Sequence, residues 1–197
     1  QYPELSNRET KTAAYVADHL KSLGLKVQTG VAKTGVVALL ETGKPGPVIA
    51  LRADMDALPI HEENDVSYKS KNIGVMHACG HDVHTSSLLG AAKILSFLRN
   101  EFEGTIKFIF QPGEEKLPGG ASLLIKEGVL HNPKPQAFIG QHVSPVVDIG
   151  KVAIRKGKFM ASMDEISMKV SGKGGHGAQP HLNIDPVMIT AQILVAL

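Results

Sequence analysis

The stretch Met76-His77-Ala78-Cys79-Gly80-His81-Asp82-Val83-His84 sets three histidines, the chain's only cysteine and an acid within nine residues. An adjacent acid pair, Glu114-Glu115, lies further along, and then another histidine, His142. Cys79 and His81 stand two apart in a Gly-containing loop, and a thiolate and an imidazole are good ligands for a borderline-soft divalent cation. The cation itself would draw the thiol down from its free pKa of about 8.5. Neighbouring glutamates suit a division of labour. One carboxylate binds metal while the other takes a proton from water whose pKa the metal has brought from 15.7 to roughly 7. Singly, each feature has a plainer reading: a lone Cys is usually a small hydrophobe, a lone His is usually structural, and Glu-Glu is usually an exposed acidic loop. Four ligand-type groups between His77 and His84 favour the metal.

A second chemistry fits part of the pattern. Cys79 could be a nucleophile with His81 or His84 as its base, but Glu114-Glu115 and His142 then have no task. Upstream, Arg52-Ala53-Asp54-Met55-Asp56 carries two acids at i and i+2 on a strand end, which point the same way. Strand ends are where ligands bind in open α/β sheets. The ligand inventory excludes a zinc finger, and HExxH, P-loop and dinucleotide-binding motifs are absent.

These groups need a scaffold, and its elements are legible. Ser6-Asn7-Arg8-Glu9 reads as a capping box for a helix that runs to Leu23 and stops at Gly24. Val36–Leu40, Val48–Leu51, Thr105–Phe110 and Ala137–Gly140 read as strands. The histidine-rich stretch feeds a helix that Asp82 could cap, with an apolar face from Leu88 to Leu98. Gly119-Gly120 open a short helix over Ala121–Glu127, and Gly128 closes it. Alternating strands and helices predict an α/β sheet layered between helices, with Asp54, Glu114 and His142 each just past a strand.

The texture changes after about Lys151. Val152–Ile154 and Glu165–Val170 alternate as half-exposed strands do, Gly172–Gly177 is a loop, and Asp185-Pro186 starts a helix. We set a domain boundary near Ala161, giving segments 1–161 and 162–197.

Length and composition bound the rest. The chain has 197 residues, 43% of them apolar, enough for one domain or one and a part. A net charge of +2 with no basic block offers nothing to nucleic acid. No apolar run reaches the ~18 residues of a membrane span. One cysteine excludes an internal disulfide and fits a reducing, cytoplasmic compartment. Gln1 is not a natural start, which leaves room for a removed signal segment, and the chain stops inside the apolar pattern Gln192–Leu197. We read both ends as cut.

Together, Pro3–Ser6, Arg52–Pro59, His77–Asp82, Gln111–Glu115, Gly140–Val143 and Gly172–His181 closely resemble the amidohydrolases of the M20 metallopeptidase group. The likeness is to the branch of aminoacylases, hippurate hydrolases and auxin-conjugate amidohydrolases, and it runs in order through essentially the whole chain. It implies a zinc-exopeptidase-like mixed sheet followed by the start of an α+β, ferredoxin-like lid that also makes a homodimer. It implies two divalent metal ions, Zn, Mn, Ni or Co. Cys79 would be shared between them, His81 and His142 would complete one ion's ligands, and Glu115 would bind the other. Glu114 would be the general base, Asp56 would orient a ligand, and His176 would polarise the substrate carbonyl from a partner subunit. The implied reaction is hydrolysis of an N-acyl amino acid, a small-molecule substrate.

Relatives of this kind resume the catalytic domain after the lid and supply a last histidine ligand there. On that pattern this chain would be inactive, or nearly so, for want of a C-terminal catalytic part. Lys116-Leu117-Pro118 also stands where many relatives have glycines. Two rival readings remain: a non-catalytic metal-binding or dimerisation module of the same fold, and a cysteine hydrolase that needs no metal.

Overall fold

A computed structural model describes residues 1–197, which divide into two compact units, Gln1–Val146 and Val147–Leu197. In chain order the first unit contains α1 (Thr10–Ser22), β1 (Lys26–Val31), β2 (Gly35–Glu41), β3 (Val48–Asp54), α2 (His81–Phe97), β4 (Thr105–Gln111), α3 (Gly120–Lys126) and β5 (Ala137–Gly140). The second contains α4 (Pro186–Ala196).

The five strands form one mixed sheet in the order β1-β2-β4-β3-β5. β1, β2 and β4 pair antiparallel, whereas β3 lies parallel to β4 and to β5. β2 and β4 are nearly unbroken apolar runs because both their faces are covered. Strand alternation sorts their side chains. Val36, Ala38, Leu40, Ala53, Phe108 and Phe110 meet Val16, Ala17 and Leu20 of α1 and Leu88 and Ala92 of α2. Val37, Ala50 and Ile109 face the other way, onto Leu124 of α3 and Val129. Phe108 and Phe110 are wholly buried, each contributing roughly 1.5–3 kcal/mol of apolar transfer. The predicted sheet between helices is therefore present.

Register decides where the loops leave the sheet. Asp54 pairs with Gln111, and Arg52 with Gly140. Three parallel strands thus end at one level, and the segments after them, Met55-Asp56, Pro112–Glu115 and Gln141–Val143, leave the sheet at one edge.

Several local expectations need correction. Ser6 does not cap α1; the N–H groups of Lys11 and Thr12 instead donate to the Glu4 carboxylate, at 3.2 and 2.8 Å. Asp82 sits in the first turn of α2 rather than at its cap, which is Gly80 with φ 84°. That left-handed conformation suits glycine, and a Cβ there would overlap the Val143 side chain. β1 was not anticipated, because Lys-Val-Gln-Thr-Gly-Val is mostly polar, as an edge strand with little covering can be.

In the second unit, Val152–Ile154 and Glu165–Val170 are not strands. Their apolar side chains lie exposed, Ile154 at 91% and Ile166 at 66%, with no neighbouring strand to complete a ladder. Residues 147–197 form no sheet, so the ferredoxin-like arrangement is not seen in them. α4 starts as expected, with Asp185 Oδ1 accepting from the Val187 N–H at 2.9 Å and Pro186 in the first turn. No helix is long and apolar enough to cross a membrane.

Candidate metal centre

The site is built where β3, β4 and β5 end against the start of α2. β3 delivers Asp54 and Asp56, both about 1% exposed. Asp54 Oδ2 accepts from Arg52 Nη1 at 2.7 Å, and its Oδ1 accepts from His84 Nδ1 at 2.6 Å. Burial alone would raise the Asp54 carboxyl's pKa. The His84 hydrogen bond and the charges of Arg52 and His81 together outweigh it and hold the group below its usual range. The other nitrogen of His84 accepts from the Val143 N–H at 2.9 Å. His84 thus ties β3 to the loop that carries His142.

Asp56 is still more heavily bonded. Its Oδ2 accepts from Ser6 Oγ at 2.6 Å and from the Glu115 N–H at 3.0 Å. His81 Nδ1 lies 2.9 Å from the Asp56 backbone oxygen and 3.2 Å from Oδ1. Burial opposes ionisation here as well, but the His81 and Ser6 bonds and the backbone N–H groups of Glu115 and Glu114 bring the carboxyl down to about 2.

Asp56 thereby fixes the ring of His81, the first residue of α2. With Nδ1 donating to Asp56, Nε2 carries the lone pair. That atom is buried and has no hydrogen-bond partner. Around it stand Asp54 Oδ2 at 3.6 Å, Glu115 at 3.9 Å and Glu114 at 4.0 Å. Burial disfavours a charged His81, yet the Asp56 bond and the charges of Asp54, Asp56 and Glu114 push its pKa up. The pocket favours positive charge at this point.

Beside it, Cys79 Sγ lies 3.4 Å from His142 Nε2. His142 Nδ1 donates to the Val143 oxygen at 2.6 Å, which turns Nε2 toward the thiol. Burial and the nearby carboxylates of Glu115, Glu114 and Asp54 push the Cys79 thiol up to about 11. Glu114 is likewise raised, by partial burial and then by the charges of Glu115 and Asp54.

Three groups of ligand-type atoms result, each with all members within 4.8 Å of one another: Cys79–His81–His142, Asp54–His81–His84 and His81–Glu114–Glu115. His81 is common to all three. An unpartnered buried imidazole nitrogen, a thiol and several carboxylates around one electronegative space fit divalent cations. The expectation that this chain is inactive for want of its catalytic part is therefore corrected. Candidate metal-ligating groups, Asp54, His81 and His84 included, lie within residues 54–142.

Of the residues singled out from sequence, Cys79, His81 and His142 come together, as do His81, Glu114 and Glu115, with Asp56 behind His81. His176 belongs to the second unit, where its Nδ1 accepts from the Ala178 N–H at 3.1 Å. Sequence reasoning assigned no role in the site to Ser6 or Glu9, and although it counted His84 among the ligand-type groups and Asp54 among the strand-end acids, it did not pair them. One signal for the pair was available: His84 is three residues beyond His81 on α2, hence on the same helix face.

A family model described as Peptidase family M20/M25/M40 matches residues 50–196 of this chain. The N-acyl-L-amino acid amidohydrolase of Geobacillus stearothermophilus is 48% identical over 196 residues, covering 100% of this chain and 52% of that protein. Thermostable carboxypeptidase 1 of Saccharolobus solfataricus is 46% identical over 199 residues, covering 100% of this chain and 50% of that protein. Among solved structures, the Bacillus subtilis YXEP protein, described as a dinuclear metal binding peptidase, superposes with a TM-score of 0.74 at 41% identity. That match covers 79% of this chain and 43% of YXEP. The chain spans about half the length of the curated relatives it matches.

Proposed function

We propose, for a chain that belongs to peptidase family M20/M25/M40, that it is part of a metal-dependent amidohydrolase cleaving N-acyl amino acids. The observation that carries this reading is the buried, unpartnered Nε2 of His81, ringed by a thiol, a second imidazole and carboxylates. The names of the relatives support the substrate class. An acyl amino acid and a peptide cut at its C-terminus share one bond, an amide whose nitrogen belongs to an amino acid with a free carboxylate.

In this reading Cys79, His81, His142 and Glu115 hold the metal ions. Bound there, two divalent ions (Zn, Mn, Ni or Co) supply Lewis acidity to the amide carbonyl and acidify water. Asp56 keeps the proton of His81 on Nδ1, so that Nε2 stays available as a donor. Glu114 takes a proton from the attacking water as the carbon–oxygen bond forms. It returns that proton to the amide nitrogen as the carbon–nitrogen bond breaks. A carboxylate and a free amino acid leave. We assign residues 162–197 to the start of a lid and dimerisation domain. From there His176 would reach a partner subunit's site and stabilise the carbonyl oxygen.

One contact favours a second reading, the 3.4 Å approach of Cys79 Sγ to His142 Nε2, which a cysteine hydrolase would use. The surroundings oppose it. Reactive thiolates sit in electropositive sites, and here burial and three carboxylates drive the thiol up to about 11. The deciding experiment assays the intact protein on a panel of N-acyl amino acids, with metal, with chelator and after thiol alkylation. The metal reading requires loss of turnover with chelator and recovery on adding metal back. Turnover that withstands chelation but not alkylation overturns it.

A further inference from the structure

Glu9 is a charged side chain with 0% exposure, lying at the start of α1 in a segment with no evident chemistry. It does not serve its own helix. Oε1 accepts from the Asn7 N–H and from the Gly113 N–H, each at 2.8 Å, and Oε2 accepts from Thr34 Oγ1 at 2.5 Å. Gly113 directly precedes Glu114, so a buried carboxyl 104 residues away in sequence bonds the backbone next to the proposed base.

The rest of the loop shows how narrowly it is held. The Gly113 oxygen accepts from the Gly120 N–H at 2.9 Å. Glu115 N–H donates to Asp56 Oδ2 at 3.0 Å. Gly113 has φ 54°, and a Cβ there would come within 2.7 Å of Asn7 Nδ2. The loop is pressed against the N-terminal segment with no space to shift toward it. Backbone N–H groups on both sides of Glu114 are thus tied to buried carboxyls, Glu9 before it and Asp56 after it.

We infer that Glu9 is a positioning residue for the Glu114–Glu115 loop, fixing through the Gly113 N–H where the proposed base and its neighbouring ligand stand. The inference rests on the functional reading above for the identity of the base, but the tether itself does not. Losing the Glu9 carboxyl leaves the Gly113 N–H unsatisfied and frees the loop to rotate about the Pro112–Gly113 link. A glutamine keeps the tether. Its oxygen can accept from both N–H groups, and its amide can donate to Thr34 Oγ1 in place of the bond it receives now.

The experiment compares Glu9→Ala, Glu9→Asp and Glu9→Gln with wild type in the intact protein. It uses hydrogen–deuterium exchange of the metal-free form, metal titration, and steady-state kinetics normalised to folded, metal-loaded enzyme. In Glu9→Ala, exchange in the peptide spanning residues 111–119 should quicken about tenfold, the equivalent of one lost hydrogen bond, while β2 and β3 keep wild-type rates. The more weakly held metal equivalent should lose affinity about tenfold or more. Turnover should fall about tenfold or more with KM within about threefold. Glu9→Gln should restore all three measures.

Glu9→Asp retains charge but falls one methylene short of Gly113. It gives the same pattern and keeps the test decisive if the alanine variant fails to fold. Unchanged exchange at residues 111–119, or exchange raised uniformly across the unit with normal turnover per folded molecule, overturns the inference. If Glu114→Gln itself retains turnover, the base assignment fails, and exchange and metal affinity still decide the role of Glu9.

Discussion

Asp54 Oδ1 and His84 Nδ1 lie 2.6 Å apart with both side chains about 99% buried, and the other nitrogen of His84 receives the Val143 N–H. One imidazole thus couples the end of β3 to the backbone beside His142. His84→Ala should cut that coupling and let the His142 loop drift from Cys79. Metal affinity should fall about 10- to 100-fold, the usual effect of removing a group that orients a ligand. Titration of the metal-free protein with zinc measures it, and an unchanged affinity would show that His142 is held by something else.

Glu114→Gln should remove the proton acceptor while leaving the ligand set in place. Turnover on an N-acyl amino acid should drop about 10²- to 10⁴-fold, the range for a lost general base. Metal stoichiometry, read by elemental analysis, should be that of wild type. Retained metal with lost turnover also separates an enzyme from a non-catalytic metal-binding module, for which the substitution has no turnover to remove.

The thiol of Cys79 stands at about 11 in the metal-free site, so at neutral pH it is protonated and must release its proton to ligate. Raising the pH therefore favours binding. Between pH 7 and 9 the apparent affinity for zinc should climb about tenfold per pH unit, with about one proton released per cation bound by the thiol. In Cys79→Ala that share of the slope should vanish. Isothermal titration in buffers of different ionisation enthalpy counts the protons.

Asp56 has a folded-state pKa of about 2 against an ordinary 3.8. A depressed carboxyl contributes stability that is fully present above its unfolded value and is lost as the pH falls through the folded one. The window is therefore about pH 4 down to 2, and the contribution is about 2 kcal/mol. Urea denaturation of the metal-free protein across that range should show a shallower loss in Asp56→Asn than in wild type. Parallel curves would assign the acid sensitivity to other carboxyls.

β2 and β4 were readable because both their faces are covered and so are nearly all apolar; Val36–Leu40 and Thr105–Phe110 can hardly be anything else. β1 was not, since an edge strand covered by little needs few apolar residues. The capping box at Ser6–Glu9 misled for a different reason. The residue types were right for a helix cap, but Ser6 and Glu9 had partners at Asp56, Gly113 and Thr34 that no local pattern reveals. The alternation in Val152–Ile154 and Glu165–Val170 expresses a preference for strand, and a preference without a neighbouring strand does not make a ladder.

Sequence alone determined which chemistry is on offer here, because thiol, imidazole and carboxylate are properties of residue types and their clustering over His77–His84 and Glu114-Glu115 is visible in one dimension. Tertiary structure alone decided which of these groups meet. The parallel register of β3, β4 and β5 brings three chain segments out at one end of the sheet, and hydrogen bonds spanning 25 to 104 residues fix His81, His84 and the Glu114–Glu115 loop. Such distances close only when the whole sheet has folded, which is why the Asp54–His84 contact and the Glu9–Gly113 tether could not be read until it had.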